Sequence, residues 1–81
     1  MRLPRNVSGA DLTRALARLG YRVTRQTGSH LRLTATLGGQ EHHLTVPNHD
    51  PIKVGTLNSI LKDVAAHANL SRDELLDRVF S

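Results

Sequence analysis

The apolar residues of this chain recur first at helical spacing, then on alternate positions, then at helical spacing again. Leu12, Ala15, Leu16 and Leu19 lie three and four apart and predict a helix with one buried stripe. Ser8 with Asp11 makes an approximate capping box at its start, and Gly20 stands where a left-handed stop is wanted. Arg14 and Arg18 share the solvent side. From Tyr21 the period becomes two, with Tyr21 and Val23 pointing one way and Arg22 and Thr24 the other, until Gly28-Ser29 breaks the strand. From His30 to Leu37 the alternation resumes: Leu31, Leu33 and Ala35 on one face, His30, Arg32 and Thr34 on the other. Gly38-Gly39 suits a type I′ hairpin turn, whose two central residues both need positive φ. The strand from Glu41 to Val46 then returns with Leu44 and Val46 inward and His43 and Thr45 outward. With that turn Leu33 faces Leu44 and Leu31 faces Val46, so the apolar positions of the two strands fall in register.

After Pro47 and the loop Asn48-His49-Asp50-Pro51, a second helix carries Leu57, Ile60, Leu61, Val64, Ala65 and Ala68, and Asn69 ends it. Ser71 with Glu74 caps a short third helix bearing Leu75, Leu76 and Val79. The predicted order is αβββα plus a short C-terminal helix, an α+β fold. A three-stranded antiparallel sheet with one apolar face needs its helices on that face, leaving the other to solvent. The solvent face is expected to show Arg22, Thr24, His30, Arg32, Thr34, His43 and Thr45.

Residues 1–81 make one small domain, which buries about two-thirds of its unfolded surface. With no Trp, one Tyr and one Phe, the core must be aliphatic; with no Cys, disulfide scaffolds and Cys-based zinc sites are excluded. No apolar run is long enough for a membrane span, and the first residues lack a signal peptide's apolar core, so a cytoplasmic, membrane-free protein is expected. Charge changes the picture more. The net is +4, and residues 1–40 hold seven arginines against one carboxylate, Asp11. Nine of the eleven basic residues are arginine, whose planar fork suits phosphate, and this points to a polyanionic partner.

Two stretches resemble a known family. Gly28-Ser29-His30 at the start of the second strand resembles one part of the HicA (YcfA-like) signature. Leu44-Thr45-Val46-Pro47-Asn48-His49, followed by Lys53-Val54-Gly55-Thr56-Leu57-Asn58-Ser59-Ile60-Leu61-Lys62, resembles the rest. The resemblance implies a fold like the double-stranded-RNA-binding domain, an mRNA endoribonuclease (mRNA interferase) of a type II toxin–antitoxin system, and a HicB-like antitoxin that covers the active histidine. It implies His30 as the catalytic residue, with Gly28 and Ser29 as the turn that positions it.

The chemistry can be argued beside the resemblance. Metal-free RNA cleavage uses the 2′-hydroxyl as nucleophile, and a histidine of ordinary pKa, about 6.5, can take or give the proton required. Arg22 and Arg32 share the face of His30 and are candidate phosphate contacts; Lys53, at a helix start, is another. No cofactor and no metal site are expected. His42 and His43, as strand neighbours, point to opposite faces and are expected to be solvated. His43 shares the face of His30 and is an optional second acid or base. His49 has a turn-forming or a functional role, and His67 suits the end of the second helix. The alternative is a non-catalytic RNA-binding module of the same fold. A helix-turn-helix DNA reader is disfavoured by Asp73, Glu74 and Asp77 on the would-be recognition helix.

Overall fold

The computed structural model describes residues 3–81; Met1 and Arg2, the latter one of the seven arginines counted above, lie outside the described residues. The elements follow the predicted order: α1 Gly9–Ala17, β1 Arg22–Thr27, β2 His30–Leu37, β3 Gln40–Pro47, α2 Val54–Ala68 and α3 Arg72–Phe80. The three strands form one antiparallel sheet in the order β1-β2-β3. Gly38 and Gly39 take φ of 58° and 81°, the pair of positive values that the tight β2–β3 turn requires. The resulting register sets Leu31 against Val46 and Leu33 against Leu44, as the alternation demands.

Leu31, Leu33, Ala35, Leu44 and Val46 form the buried side of the sheet, against Leu12 and Leu16 of α1 and Leu57, Leu61 and Val64 of α2. Leu75, Leu76 and Val79 of α3 join the same core, with α3 in contact with both α1 and α2. Each fully buried leucine contributes about 1.5–3 kcal/mol, so this aliphatic interior replaces the aromatic one the composition lacks. Both predicted serine caps form: Ser8 with Asp11, and Ser71 with Glu74, each a reciprocal pair of side-chain–backbone bonds. In each box the backbone N–H of the serine is the chief cause that holds the carboxyl below its ordinary pKa, with the serine hydroxyl second. Helix α2 has Lys53 at its N-cap and no side-chain cap, and ends at Asn69 in the left-handed region.

The first strand departs from simple alternation. Tyr21, just before β1, is buried, but Val23 is 45% exposed although it pairs with Leu33. Val23 points to the same side as Leu33, as the alternation expects, but it is not covered there. Every residue of β1 is exposed, in an edge strand whose one neighbour in the sheet is β2. The pairing also shifts by one between Val23 and Arg25, a β-bulge at Thr24. A bulge inserts one residue and reverses which face the rest of the strand presents.

At one end of the sheet the chain is drawn tight. A Cβ on Gly9 would lie 2.5 Å from the Pro47 carbonyl oxygen and 2.9 Å from the Asn48 Cα, so only glycine lets α1 start against the end of β3. The Gly9 N–H donates to the His49 carbonyl, the Ile52 N–H to that of Val7, and the Asn48 N–H to that of Ser29 at 2.7 Å. The Gly28-Ser29 turn, the loop after β3 and the start of α1 thus form one hydrogen-bonded corner, and His30 is the first strand residue out of it.

Candidate functional site

The polar face of the sheet is a ladder of rows set by the register. His30 lies between Thr27 of β1 and Pro47 of β3; the next row on the same face is Arg25, Arg32 and Thr45. Arg25 is there because of the bulge. Without the extra residue it would oppose Leu31 and turn toward the core side; with it, Arg25 opposes Arg32. Sequence alternation missed Arg25, and nothing in the local sequence announces the shift. His30, Arg25, Arg32 and Thr45 are all exposed.

The third row is tied together. Thr24 Oγ1 meets Thr34 Oγ1 at 2.9 Å, and Thr34 Oγ1 meets His43 Nδ1 at 2.9 Å. His43 Nε2 lies 2.9 Å from the Glu41 carboxylate. The bonds fit one direction of donation, with Nε2–H toward Glu41 and Nδ1 accepting from Thr34. Thr34 was expected to face solvent; it is on that face but buried beneath these neighbours. Arg22, Thr24, Arg25, Arg32, Thr34, Glu41 and His43 line a shallow depression of about 270 Å³. His43 pairs with Thr34, four residues along β2 from His30, which is about 13 Å at 3.3 Å per residue. That spacing separates His43 from any single phosphate held at His30, so its optional role as the second acid or base is withdrawn.

The imidazoles divide into two groups. Among the described residues His30 and His49 have no side-chain hydrogen bond or ion pair, whereas His42, His43 and His67 all do. His49 sits on the corner loop, next to the residue bonded to Ser29. Gly28, with φ of 49°, supplies the positive backbone angle at the turn before His30. Lys53 is exposed at the N-cap of α2, with Leu57 N–H donating to its carbonyl. A larger cleft of about 470 Å³ opens elsewhere, among Arg5, Arg14, Arg18 and Phe80; His30 takes no part in it.

His42 corrects the expectation of a solvated side chain. It opposes Ala35 on the covered side of the sheet and is 7% exposed. The Tyr21 hydroxyl meets its Nδ1 at 2.6 Å, and its Nε2 faces Asp63 Oδ2 of α2 at 3.2 Å. His67, one turn beyond Asp63, stacks on His42 with ring centroids 3.6 Å apart. Burial, with the Asp63 charge behind it, pushes the Tyr21 hydroxyl up to about 12, so it stays a neutral hydrogen-bonding group. His42, Asp63 and His67 offer donor atoms within 4.8 Å of one another, a grouping that the sequence did not announce. The signal for His42 was in reach: the register that pairs Leu33 with Leu44 also turns residue 42 inward. The approach of α2 was not.

The family described as HicA toxin of bacterial toxin-antitoxin matches residues 9–65, from the start of α1 into α2. The chain belongs to this family. It is a toxin of a toxin–antitoxin system, and that membership implies an antitoxin partner. No curated protein and no solved structure matches the chain. Among the described residues no helix is long and apolar enough to cross a membrane.

Proposed function

We propose that the chain is a cytoplasmic endoribonuclease that cleaves mRNA with His30 as its acid or base and without a metal at the reacting phosphate. The observation that carries this reading is an exposed, unpartnered imidazole one row from two guanidiniums. His30 then exchanges the proton as the 2′-oxygen attacks phosphorus and the 5′-oxygen leaves. Arg25 and Arg32 meet the charge that grows on the phosphorane, and Arg22 extends the contact along the strand. Gly28 and Ser29 hold the turn against the substrate, and Lys53 reaches a flanking phosphate. The rows beside His30 hold guanidiniums, hydroxyls and a proline rather than carboxylates, which suits chemistry run by proton transfer. His49, on the loop bonded to Ser29, is the second proton-transfer candidate.

The antitoxin, in this reading HicB-like, silences the toxin by laying an acidic surface over the same face, since occlusion and charge neutralisation then act together. Hydrogen exchange in the complex is expected to protect Gly28 to Arg32. Cleavage is tested with purified wild type and His30→Ala in excess EDTA, with circular dichroism on both. Wild type is expected to cut and folded His30→Ala is not. Cutting by that variant at the wild-type rate moves the chemistry elsewhere, and loss of wild-type cutting in EDTA makes it metal-dependent. A wild-type protein that binds RNA but never cuts it would be the non-catalytic binding module.

A further inference from the structure

The covered side of the sheet carries a polar cluster that RNA cleavage at His30 does not use. His42 comes from β3, while Asp63 and His67 lie one turn apart on α2, so three side chains from two elements meet on one spot. Each oxygen of the Asp63 carboxylate faces one imidazole at 3.2 Å: Oδ2 faces His42 Nε2, and Oδ1 faces His67 Nδ1. His67 Nδ1 also lies 3.0 Å from the Asp63 carbonyl oxygen. A buried histidine between a tyrosine hydroxyl and a carboxylate is the arrangement that orients a ligand histidine, because the bond at one nitrogen aims the other. The inner wall is buried and the outer wall half exposed: the His42 side chain is 8% exposed, those of Asp63 and His67 48% and 44%.

We propose that His42, Asp63 and His67 form a transition-metal site that ties β3 to α2, with His42 aimed by Tyr21. Two imidazoles and one carboxylate suit Zn²⁺ among common divalent ions, whereas Mg²⁺ and Ca²⁺ prefer oxygen donors throughout. Three protein ligands leave a fourth tetrahedral position, which water can reach past the exposed outer wall. In the metal-free form protons occupy the metal's place, with His42 Nε2–H and His67 Nδ1–H both directed at Asp63. Metal binding moves the His42 proton to Nδ1, which then donates to the Tyr21 oxygen, and the His67 proton to its Nε2, so that His42 Nε2 and His67 Nδ1 are free for the ion. The two rings lie only 20° from parallel, so their in-plane lone pairs do not converge until His67 turns out of the stack. Its exposure permits that turn. The site lies across the sheet from His30, so the ion acts on stability rather than on the reacting phosphate.

The test uses the full chain stripped with EDTA, desalted, and titrated with ZnCl₂ or MgCl₂ by calorimetry and thermal melting. One Zn²⁺ per chain and a raised Tm are expected, with no effect of Mg²⁺. His67→Ala and Asp63→Asn, both at exposed positions, are expected to lose the Zn²⁺-dependent Tm rise, and His30→Ala and His49→Ala to keep it. Nitrogen-15 spectra of the wild-type imidazoles give a reading that needs no variant: Zn²⁺ is expected to shift His42 and His67 first. Absence of Zn²⁺ binding, a Tm rise that survives in His67→Ala and Asp63→Asn, or first shifts at His30, His43 or His49 would overturn the proposal. RNA cleavage does not enter these readings, so they stand or fall apart from the role of His30.

Discussion

His42 and His43 are neighbours in sequence and opposites in structure. The pleat sends His42 into the helix-covered side, between Tyr21 and Asp63, and sends His43 outward to Thr34 and Glu41. The two faces of the sheet differ in the same way throughout. The covered face is aliphatic, and its few polar groups are paired to one another, so changes there act on stability. The bare face holds exposed arginines and an unpaired His30 at one end and the bonded row of Thr24, Thr34, His43 and Glu41 at the other, so only the end around His30 is free for a polyanion. One residue type thus has three settings on one small sheet: buried and bonded, exposed and bonded, exposed and free. Environment rather than identity decides which imidazole is available for chemistry.

The comparison breaks first, if it breaks, at His30. His30→Ala is expected to lower RNA cleavage by a factor of about 10² or more while leaving folding stability within about 0.5 kcal/mol of wild type. A large drop in Tm would put His30 with the structural histidines instead. On the covered face the expectation is reversed. Tyr21→Phe removes the hydroxyl beside His42 Nδ1 and leaves a buried nitrogen unsatisfied, a loss of about 1–3 kcal/mol in urea unfolding. Unchanged stability would mean the buried bond contributes nothing.

A finer test separates the edge of the bare face from its central strand. Arg25→Ala and Arg32→Ala are each expected to weaken RNA binding uniformly across sequences and to reduce the slope of log K against log salt by about 1. If only Arg32→Ala does so, the bulge does not bring Arg25 to the substrate. The smallest effect concerns the helix caps. The carboxyls of Asp11 and Glu74 are held below their ordinary values of 3.8 and 4.5 by the backbone N–H of Ser8 and Ser71. With a lowered folded pKa, the unfolded chain binds more protons in acid, so this stability is present at neutral pH and falls away as pH drops below about 4.5. Melting curves between pH 6 and pH 3 should show the decline, and Ser71→Ala should show less of it.

Much of the molecule was legible as a string of residues. The helical spacing of Leu12, Ala15 and Leu16, the alternation of Leu31, Leu33 and Ala35, and the two glycines at 38 and 39 each act within a few residues, and their geometry follows from backbone sterics and the need to bury one face. The same parity already turned residue 42 inward, although histidine reads as polar and was expected in solvent. His30 stood out only through the ordered motifs around it, since an exposed strand histidine has no periodic signature.

What only the tertiary structure decided are the places where distant segments meet. The bulge at Thr24 depends on how an edge strand with one neighbour settles against β2, and that one-residue slip moves Arg25 to the face of His30. The meeting of His42 with Asp63 and His67 depends on how α2 lies across β3, a matter of ridge packing among Leu57, Leu61, Val64 and the sheet. Gly9 matters because α1 begins against Pro47 and Asn48, nearly forty residues away. Local sequence determines period, turn and cap, because those forces act over one or two turns of chain. Which side chains from different elements come within bonding distance is set by the packed core, which no stretch of sequence contains by itself.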